Sequence, residues 1–289
     1  MIAAVVLTFD APDGMLEACL ASVTADPTLL VVLVDNGHRA AQLPADVLGR
    51  VTLVEAPYNL GYAGGMNLGI RVALEQGADA VAVLNDDLTV EPGWLAPLVS
   101  ELAAPTVGAA QPVLLAADAT PARINSMGVR LGNDGAGIDI GQGELVTTYL
   151  DQPPHDLELF TGGAVLMSAS FLRSTGGFDE RYFLYYEDVD LALRGAELGW
   201  RYRLAPASHV VHRGSVSASA PSLADRTTYL RERNRLWVLF RHRPLRHVAT
   251  GVWLSVRRLR WAPRLVHARA LVAGVAGVPR LLVARHRRS

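Results

Sequence analysis

Three short stretches carry side chains whose types and spacing could do chemistry. Asn85-Asp86-Asp87 delivers two adjacent carboxylates at the end of the uncharged apolar run Val81-Ala82-Val83-Leu84. Glu187-Asp188-Val189-Asp190 delivers three more after the aromatic-rich run Tyr182-Phe183-Leu184-Tyr185-Tyr186. His212 ends a further apolar run and precedes Arg213. Carboxylates crowded at a strand end repel each other unless a cation or donor satisfies them, and hard cations such as Mg2+ or Mn2+ take oxygen ligands of this kind. Asp86 and Asp87 therefore read as the seat of a divalent metal holding a phosphate-bearing substrate, or else as a solvated turn, since Asn and Asp are ordinary turn residues. Glu187 and Asp188 read as a general base that accepts a hydroxyl proton, or as the charged first turn that a helix dipole favours. Imidazole suits a Mn2+-type site, although a lone histidine such as His212 also serves as a hydrogen-bonded structural residue.

Strands and helices must bring these groups together. Apolar runs at residues 2–7, 29–34 and 81–84 predict buried strands, and 51–55 a further strand. Helical spacing predicts helices at 14–23, from 59 to about 76, and after Pro92, which is placed in a first turn where its missing amide proton costs nothing. That alternation is the rhythm of an α/β fold, a mostly parallel sheet flanked by helices, which binds ligands beyond the carboxyl ends of its strands. Asp35, ending the second strand, could accept hydrogen bonds from a base or close an Asx-turn before Gly37. The glycines at 61, 64, 65 and 69 open a helix where exposed amides attract phosphate. They do not match G-x-G-x-x-G, and the chain, which contains no lysine, has no P-loop. Residues 107–143 read as antiparallel hairpins, 157–168 as another strand, 201–204 and 209–212 as two short strands. The acidic run leads into a helix reaching Leu198, with Gly199 as its C-cap. From Pro221 onward the pattern is helical, basic and amphipathic, so the expected division is a catalytic domain at 1–220 and an extension at 221–289.

With 289 residues, 50% hydrophobic and 19% charged, the chain is globular and can bury a large core. Its net charge of −1 conceals a basic end, fifteen Arg against the single acid Glu232 from Arg231 to Ser289. Such an end meets an anionic partner. Because Leu, Val, Ala, Trp253 and Trp261 alternate with those arginines, an anionic membrane surface is expected and nucleic acid is not. Cys19 is the only cysteine, which excludes an intrachain disulfide framework and fits a reducing compartment. No signal peptide opens the chain, and the apolar stretches 248–256 and 270–278 fall short of the roughly 20 residues that span a bilayer. The expected location is cytoplasmic, peripheral on the inner face of the cell membrane. Self-association is left open.

Taken in order, Asp35-Asn36, the segment 59–69, Asn85-Asp86-Asp87, Gly177-Phe178-Asp179-Glu180, Glu187-Asp188-Val189-Asp190 and His212 resemble the family 2 glycosyltransferases. The likeness covers about residues 1–240 and is nearest to the bacterial rhamnosyltransferases and galactofuranosyltransferases of cell-wall and surface polysaccharide synthesis. The resemblance implies a GT-A fold, a nucleotide-diphosphate sugar donor, a divalent metal (Mg2+ or Mn2+), inversion at the anomeric carbon, and a glycan or polyprenyl-linked acceptor. Carried over by position, Thr8 and Asp10 lie under the nucleotide and Asp35 contacts the base. Asn59, Gly61 and Asn67 line the donor pocket. Asp87 holds the metal, with Asp86 serving the donor diphosphate, and His212 approaches the metal. Asp188 is the base with Glu187 beside it, and Arg233-Asn234 contacts phosphate or acceptor. Two departures stand out: Thr8-Phe9-Asp10 where many members have Asn-Tyr-Asn, and Asn-Asp-Asp rather than Asp-x-Asp. A sugar-nucleotide pyrophosphorylase is the competing enzyme, but it would want a Gly-rich basic loop after the first strand. A non-catalytic, basic-tailed surface-binding protein is the competing non-enzyme, and a test for donor hydrolysis with Mn2+ would discriminate the two.

Overall fold

Four runs with no charge before their last residue build the centre of a sheet. They are β1 (Ile2–Thr8), β2 (Leu30–Asp35), β3 (Thr52–Glu55) and β4 (Ala80–Asn85), paired in parallel in the order β4-β1-β2-β3. Val5, Val6, Val32, Leu33, Val83 and Leu84 are wholly buried, as strands covered on both faces require. Between them lie α1 (Met15–Val23), the short α2 (Ala45–Leu48) and α3 (Gly61–Glu75). A Cβ at Gly65 would strike Leu7, and one at Gly69 would strike Val5 and Val34, so these glycines let α3 lie close on the sheet. The chain is known from a computed structural model, which describes residues 1–12, 14–38, 40, 43–117, 119–149, 152–213, 224–260 and 263–279.

Beyond β4 come β5 (Leu88–Val90), α4 (Leu95–Leu102), β6 (Val107–Ala116), β7 (Arg123–Ser126), β8 (Val129–Leu131), β9 (Gly137–Asp139), β10 (His155–Leu157) and β11 (Ala164–Ser168). They are followed by α5 (Ala169–Thr175), α6 (Glu187–Glu197), β12 (Arg201–His212), α7 (Ala224–His242), α8 (Leu245–Arg258) and α9 (Arg264–Ala276). The main path is β10-β12-β6-β11-β4-β1-β2-β3. On it β1, β2, β3, β4, β6 and β12 run one way, and only β10 and β11 run the other. This is the mostly parallel α/β sheet the sequence predicts. Its consequence is geometric: the ends of β1, β2, β4 and β12 all emerge at the same edge.

Three local expectations are corrected. Pro92 sits in a turn upstream of α4, which starts at Leu95. The run 157–168 is not one strand, because β10 ends at Leu157 and Thr161-Gly162-Gly163 crosses to β11. Residues 201–212 are one strand rather than two, with a bulge where Ala205 pairs Pro112 and the next pair is His209 with Val113. Pro112 has no amide proton to offer the ladder, which accounts for an irregularity there. The hairpins expected in 107–143 are present as β6 with β7 and β8 with β9, yet β6 also joins the main sheet alongside β12.

The expected boundary at 220/221 lies outside the described residues, as do Trp261 and residues 280–289. The helix that follows that boundary is built into the first core: Trp237 and Val238 of α7 pack in the same cluster as Phe178, Tyr182 and Val189. Among the described residues no helix is long and apolar enough to cross a membrane.

Candidate functional site

At the shared strand edge β5 turns back beside β12, and its register sets His212 opposite Leu88, one residue from Asp87. His212 Nε2 comes 3.0 Å from Asp87 Oδ1. Neither atom has an aligned hydrogen-bond partner, and both are buried. The other ring nitrogen, Nδ1, lies 3.0 Å from Asn125 Oδ1 on β7. An amide oxygen only accepts, so Nδ1 donates to it, and in the neutral imidazole Nε2 then presents its lone pair towards the carboxylate. Two electron-pair donors facing each other repel, and a cation between them removes that repulsion; an acceptor on the far ring nitrogen that fixes the imidazole tautomer is the usual companion of a ligating histidine. Among the described residues no group of three or more His, Cys, Asp or Glu converges on a metal position. Two protein ligands suit Mg2+ or Mn2+, which complete their shells with water and substrate phosphate oxygens. Asp86 faces the Thr8 hydroxyl and the Phe9 amide; burial pushes its carboxyl up to about 6, with the hydroxyl opposing and the Asp87 charge reinforcing the rise.

A cavity of about 250 Å³ opens against this edge. Its floor carries Asp86 and Asp87 and its sides carry Asp10, Asn59 and Gly61. The Asn59 wall is braced by Asn36, whose Nδ2 donates to Asn59 Oδ1 and to the Gly61 carbonyl, each at 3.2 Å, and whose Oδ1 accepts from the Leu60 amide at 2.8 Å. A Cβ at Gly61 would collide with the Phe183 carbonyl, and its φ of +71° is itself a glycine conformation.

The opposite wall is Phe183, Leu184 and Tyr185. Phe183, Tyr185 and Tyr186 all have positive φ, a costly state for bulky residues that needs outside support. Asn234 of α7 supplies it: its Nδ2 donates to the carbonyls of Tyr182 at 3.0 Å, Leu184 at 2.9 Å and Tyr185 at 2.7 Å. Arg233 adds a bond to the Tyr182 carbonyl at 2.8 Å and stacks over Trp237. The run then enters α6, whose first turn holds Glu187, Asp188 and Asp190. Their environments differ. Asp190 is fully buried, and although burial alone would raise its carboxyl, Arg194, His242 and Arg241 hold it well below the usual range. Glu187 is buried with Oε2 unpartnered among the described residues, and burial, then the charge of Asp188, pushes it well above its usual value. Asp188 is half-buried; its Oδ2 accepts from the Gly162 amide at 2.7 Å and its Oδ1 from the Val189 amide at 2.8 Å. Burial raises Asp188 despite those two bonds. Tyr62, on the cavity wall, donates to the Gly162 carbonyl, so one glycine ties the wall to Asp188.

Of the residues singled out in the sequence, Asp10, Asn59, Gly61, Asp86 and Asp87 line the cavity. Thr8 and His212 lie just behind its floor, and Asp188 stands behind Tyr62. Three of the assigned positions make contacts within the protein. Asn67 clamps a turn instead of lining the pocket, donating to the Phe178 carbonyl at 2.8 Å and accepting from the Phe178 amide at 2.9 Å. Arg233 and Asn234 donate to carbonyls of the 181–185 backbone. Asp35 is buried and accepts from the amides of Gly37 at 3.2 Å and Ala40 at 2.6 Å, the Asx-turn alternative. Residues the sequence did not suggest are Asn125, Tyr62 and Arg226, the last lying over Phe183 at 4.9 Å in the cavity wall. Only the aromatic run preceding Glu187 carried a signal for that wall.

The sheet and its helices are those of a GT-A glycosyltransferase. The chain is similar in fold to the crystal structure of GalNAc-T7 with UDP, GalNAc and Mn2+, which superposes with a TM-score of 0.62 at 14% identity over 82% of this chain and 47% of that one. The chain belongs to the family 2 glycosyltransferases, in their rhamnosyltransferase-like branch: the profile Glycosyl transferase family group 2 matches residues 80–284, and Glycosyl transferase family 2 matches residues 4–138. It is similar to the N-acetylglucosaminyl-diphospho-decaprenol L-rhamnosyltransferase of Mycobacterium tuberculosis, 29% identical over 76% of this chain and 80% of that protein. It is also similar to the pre-mycofactocin glycosyltransferase of the same organism, 30% identical over 66% of this chain but only 38% of the relative.

Proposed function

We infer that the chain is an inverting, divalent-metal-dependent transferase that moves rhamnose, or failing that galactofuranose, from a nucleotide-diphosphate donor to a lipid-linked glycan acceptor of the cell wall or surface polysaccharide. The observation that carries the reading is the pair Asp87 Oδ1 and His212 Nε2, 3.0 Å apart without an aligned hydrogen bond, beside a cavity floored by carboxylates. The rhamnosyltransferase relative supports the sugar and the class of acceptor. Asp87 and His212 would hold the cation, which when bound supplies positive charge against the leaving nucleoside diphosphate. Asn59 and Gly61 shape the donor cavity, Phe183 and Tyr185 exclude water from its far side, and Asp188 takes the proton of the attacking acceptor hydroxyl. Attack on the face opposite the leaving group inverts the anomeric centre in one displacement, and no covalent intermediate is needed.

Offered dTDP-rhamnose, UDP-galactofuranose, UDP-glucose and GDP-mannose with Mn2+ and a polyprenyl-diphosphate-linked N-acetylglucosamine, the enzyme should transfer the first most efficiently, read as the product mass. Chelation with EDTA should lower that rate by about 100-fold or more, the scale of a metal's charge stabilisation, and Mn2+ should restore it. Full activity in EDTA would remove the metal from the mechanism.

The same reading places the chain on an anionic membrane face. Leu245, Trp253 and Val256 form an exposed stripe on α8 among basic residues, Trp253 with its ring under Arg257 at 5.5 Å. Sedimentation with phosphatidylglycerol vesicles should pull down the full chain at low salt and release it as salt rises. Vesicle binding unaffected by Trp253→Ser and Val256→Ser together would argue against this stripe as the contact.

A further inference from the structure

A second cavity of about 250 Å³ lies between α7 and α9, lined by Asp225, Arg226, Tyr229, Val266 and Arg269. Arg226 lines both this cavity and the main one, so the two are neighbours across a single side chain. The walls are set by close packing: a Cβ at Gly274 would come 2.6 Å from Leu236, and one at Gly277 would come 2.6 Å from Trp237. The position of α9 against α7 is therefore narrowly defined.

The charges in this cavity do not cancel. Two guanidiniums face one carboxylate, and no ion pair joins Arg226 or Arg269 to any acid among the described residues. Both arginines are exposed, whereas the buried Arg194, Arg235 and Arg241 all pair with carboxylates. The Arg226 guanidinium carbon lies over the Phe183 ring at 4.9 Å, a contact that uses none of its N–H donors. Arg269 has an unusual setting. Spacing of four and three places it on one face of α9 between Leu265 and Val272, which are 80% and 68% exposed. A guanidinium set within an exposed apolar stripe, at the mouth of a basic cavity, matches a ligand with an anionic head and an apolar chain.

We propose that the α7–α9 cavity binds the diphosphate of a polyprenyl-diphosphate-linked acceptor through Arg226 and Arg269, with the first isoprenoid units along Leu265, Val266 and Val272. The inference rests on the lipid-linked acceptor proposed above and adds the site that would hold it. It also explains the position of Arg226: the sugar attached to the diphosphate passes that residue into the cavity floored by Asp86 and Asp87. The donor's own diphosphate, in contrast, is served from the strand edge.

Farnesyl diphosphate is a soluble probe of the head and the first isoprenoid units. Its affinity for the full-length protein, measured by calorimetry, should fall about tenfold or more in Arg269→Ala, the scale of one charge-assisted contact. Arg269→Lys should lose less. Inorganic pyrophosphate should bind more weakly than farnesyl diphosphate to the unaltered protein, and the affinity for UDP or dTDP with Mn2+ should be the same in Arg269→Ala as in the parent. Unchanged farnesyl diphosphate affinity in Arg269→Ala overturns the site, as does an equal loss of nucleotide affinity, which would assign Arg269 to the donor. Loss of binding to phosphatidylglycerol vesicles with farnesyl diphosphate affinity intact also overturns it, in favour of bulk headgroups. The site and the function fail separately. Transfer to the lipid-linked acceptor with an unaltered acceptor KM in Arg269→Ala removes the site alone, whereas Arg269-dependent farnesyl diphosphate binding without any transfer removes the function alone.

Discussion

Replacing Asp188 by Asn is expected to lower kcat by roughly two to four orders of magnitude, the usual contribution of a general base, while the donor Michaelis constant moves little. The isosteric amide keeps the shape of the side chain and cannot take a proton from the acceptor hydroxyl. It also disturbs the fold slightly. Each Asp188 oxygen accepts one amide proton, Oδ2 from Gly162 and Oδ1 from Val189, so an Asn must turn its NH2 towards one of those donors. The loss should be about 1–3 kcal/mol of stability, visible as a lower unfolding midpoint but not as unfolding at the assay temperature. Glu187→Gln is the discriminating control. Burial pushes Glu187 well above the usual carboxylate range, so a neutral glutamine resembles the form that burial favours and should retain most activity. The pH dependence follows from the direction of the Asp188 shift. A base must be deprotonated to act, and burial raises its carboxyl, so kcat should rise with pH through a value above that of an ordinary aspartate and be lost on the acid side. Asp188→Asn should abolish that limb along with the rate. Near-normal transfer by Asp188→Asn, with Glu187→Gln inactive, would move the base one residue upstream.

How far the site can be read from the chain depends on whether its geometry is local. Runs such as Val81–Leu84 announce themselves because a strand buried on both faces tolerates no charge along its length, and the carboxylates at its end mark the ligand edge. The glycines at 61, 65 and 69 are legible as a segment needing close approach, but not as to what approaches: for Gly65 and Gly69 it is the sheet, and for Gly61 the Phe183 carbonyl. Asn125, which orients His212, gives no local sign, since its role follows from a hairpin that pairs β7 with the end of β6, whose other neighbour is the end of β12, only in three dimensions. The same holds for Asn234. In sequence it sits among arginines and invites a phosphate; in the structure its amide holds three carbonyls of a loop whose positive φ values no propensity foretells. Asp190, third in its acidic run, turns out to be a buried counter-ion because Arg194, Arg241 and His242 reach it from two helices. Type and spacing identify the chemistry, and long-range pairing decides which member of each cluster performs it.

Asp87→Ala should abolish the metal-dependent part of donor binding, a loss of roughly 100-fold or more, given that even the outer partners of metal ligands are worth about 10- to 100-fold. Asp87 contributes Oδ1, an anionic oxygen buried at the cavity floor without an aligned hydrogen bond, and His212 then remains alone. Asn125→Ala should act in the same direction but less strongly, because the imidazole keeps its place on β12 and loses only the acceptor that fixes its tautomer. Asp86→Ala should also cost less, since its carboxyl faces Thr8 and Phe9 rather than His212. Donor affinity measured by calorimetry with Mn2+ and again with EDTA isolates the effect: parent and Asp87→Ala should differ in the first condition and converge in the second. Stability supplies a second, opposite signature. A buried carboxylate with an oxygen lacking an aligned hydrogen bond is a burden on the metal-free fold, so removing it should leave the unfolding midpoint in EDTA unchanged or raise it. A residue that merely braced the β5–β12 turn would behave the other way, losing midpoint in EDTA and leaving the Mn2+ dependence of donor affinity intact. That pattern would take the metal away from Asp87.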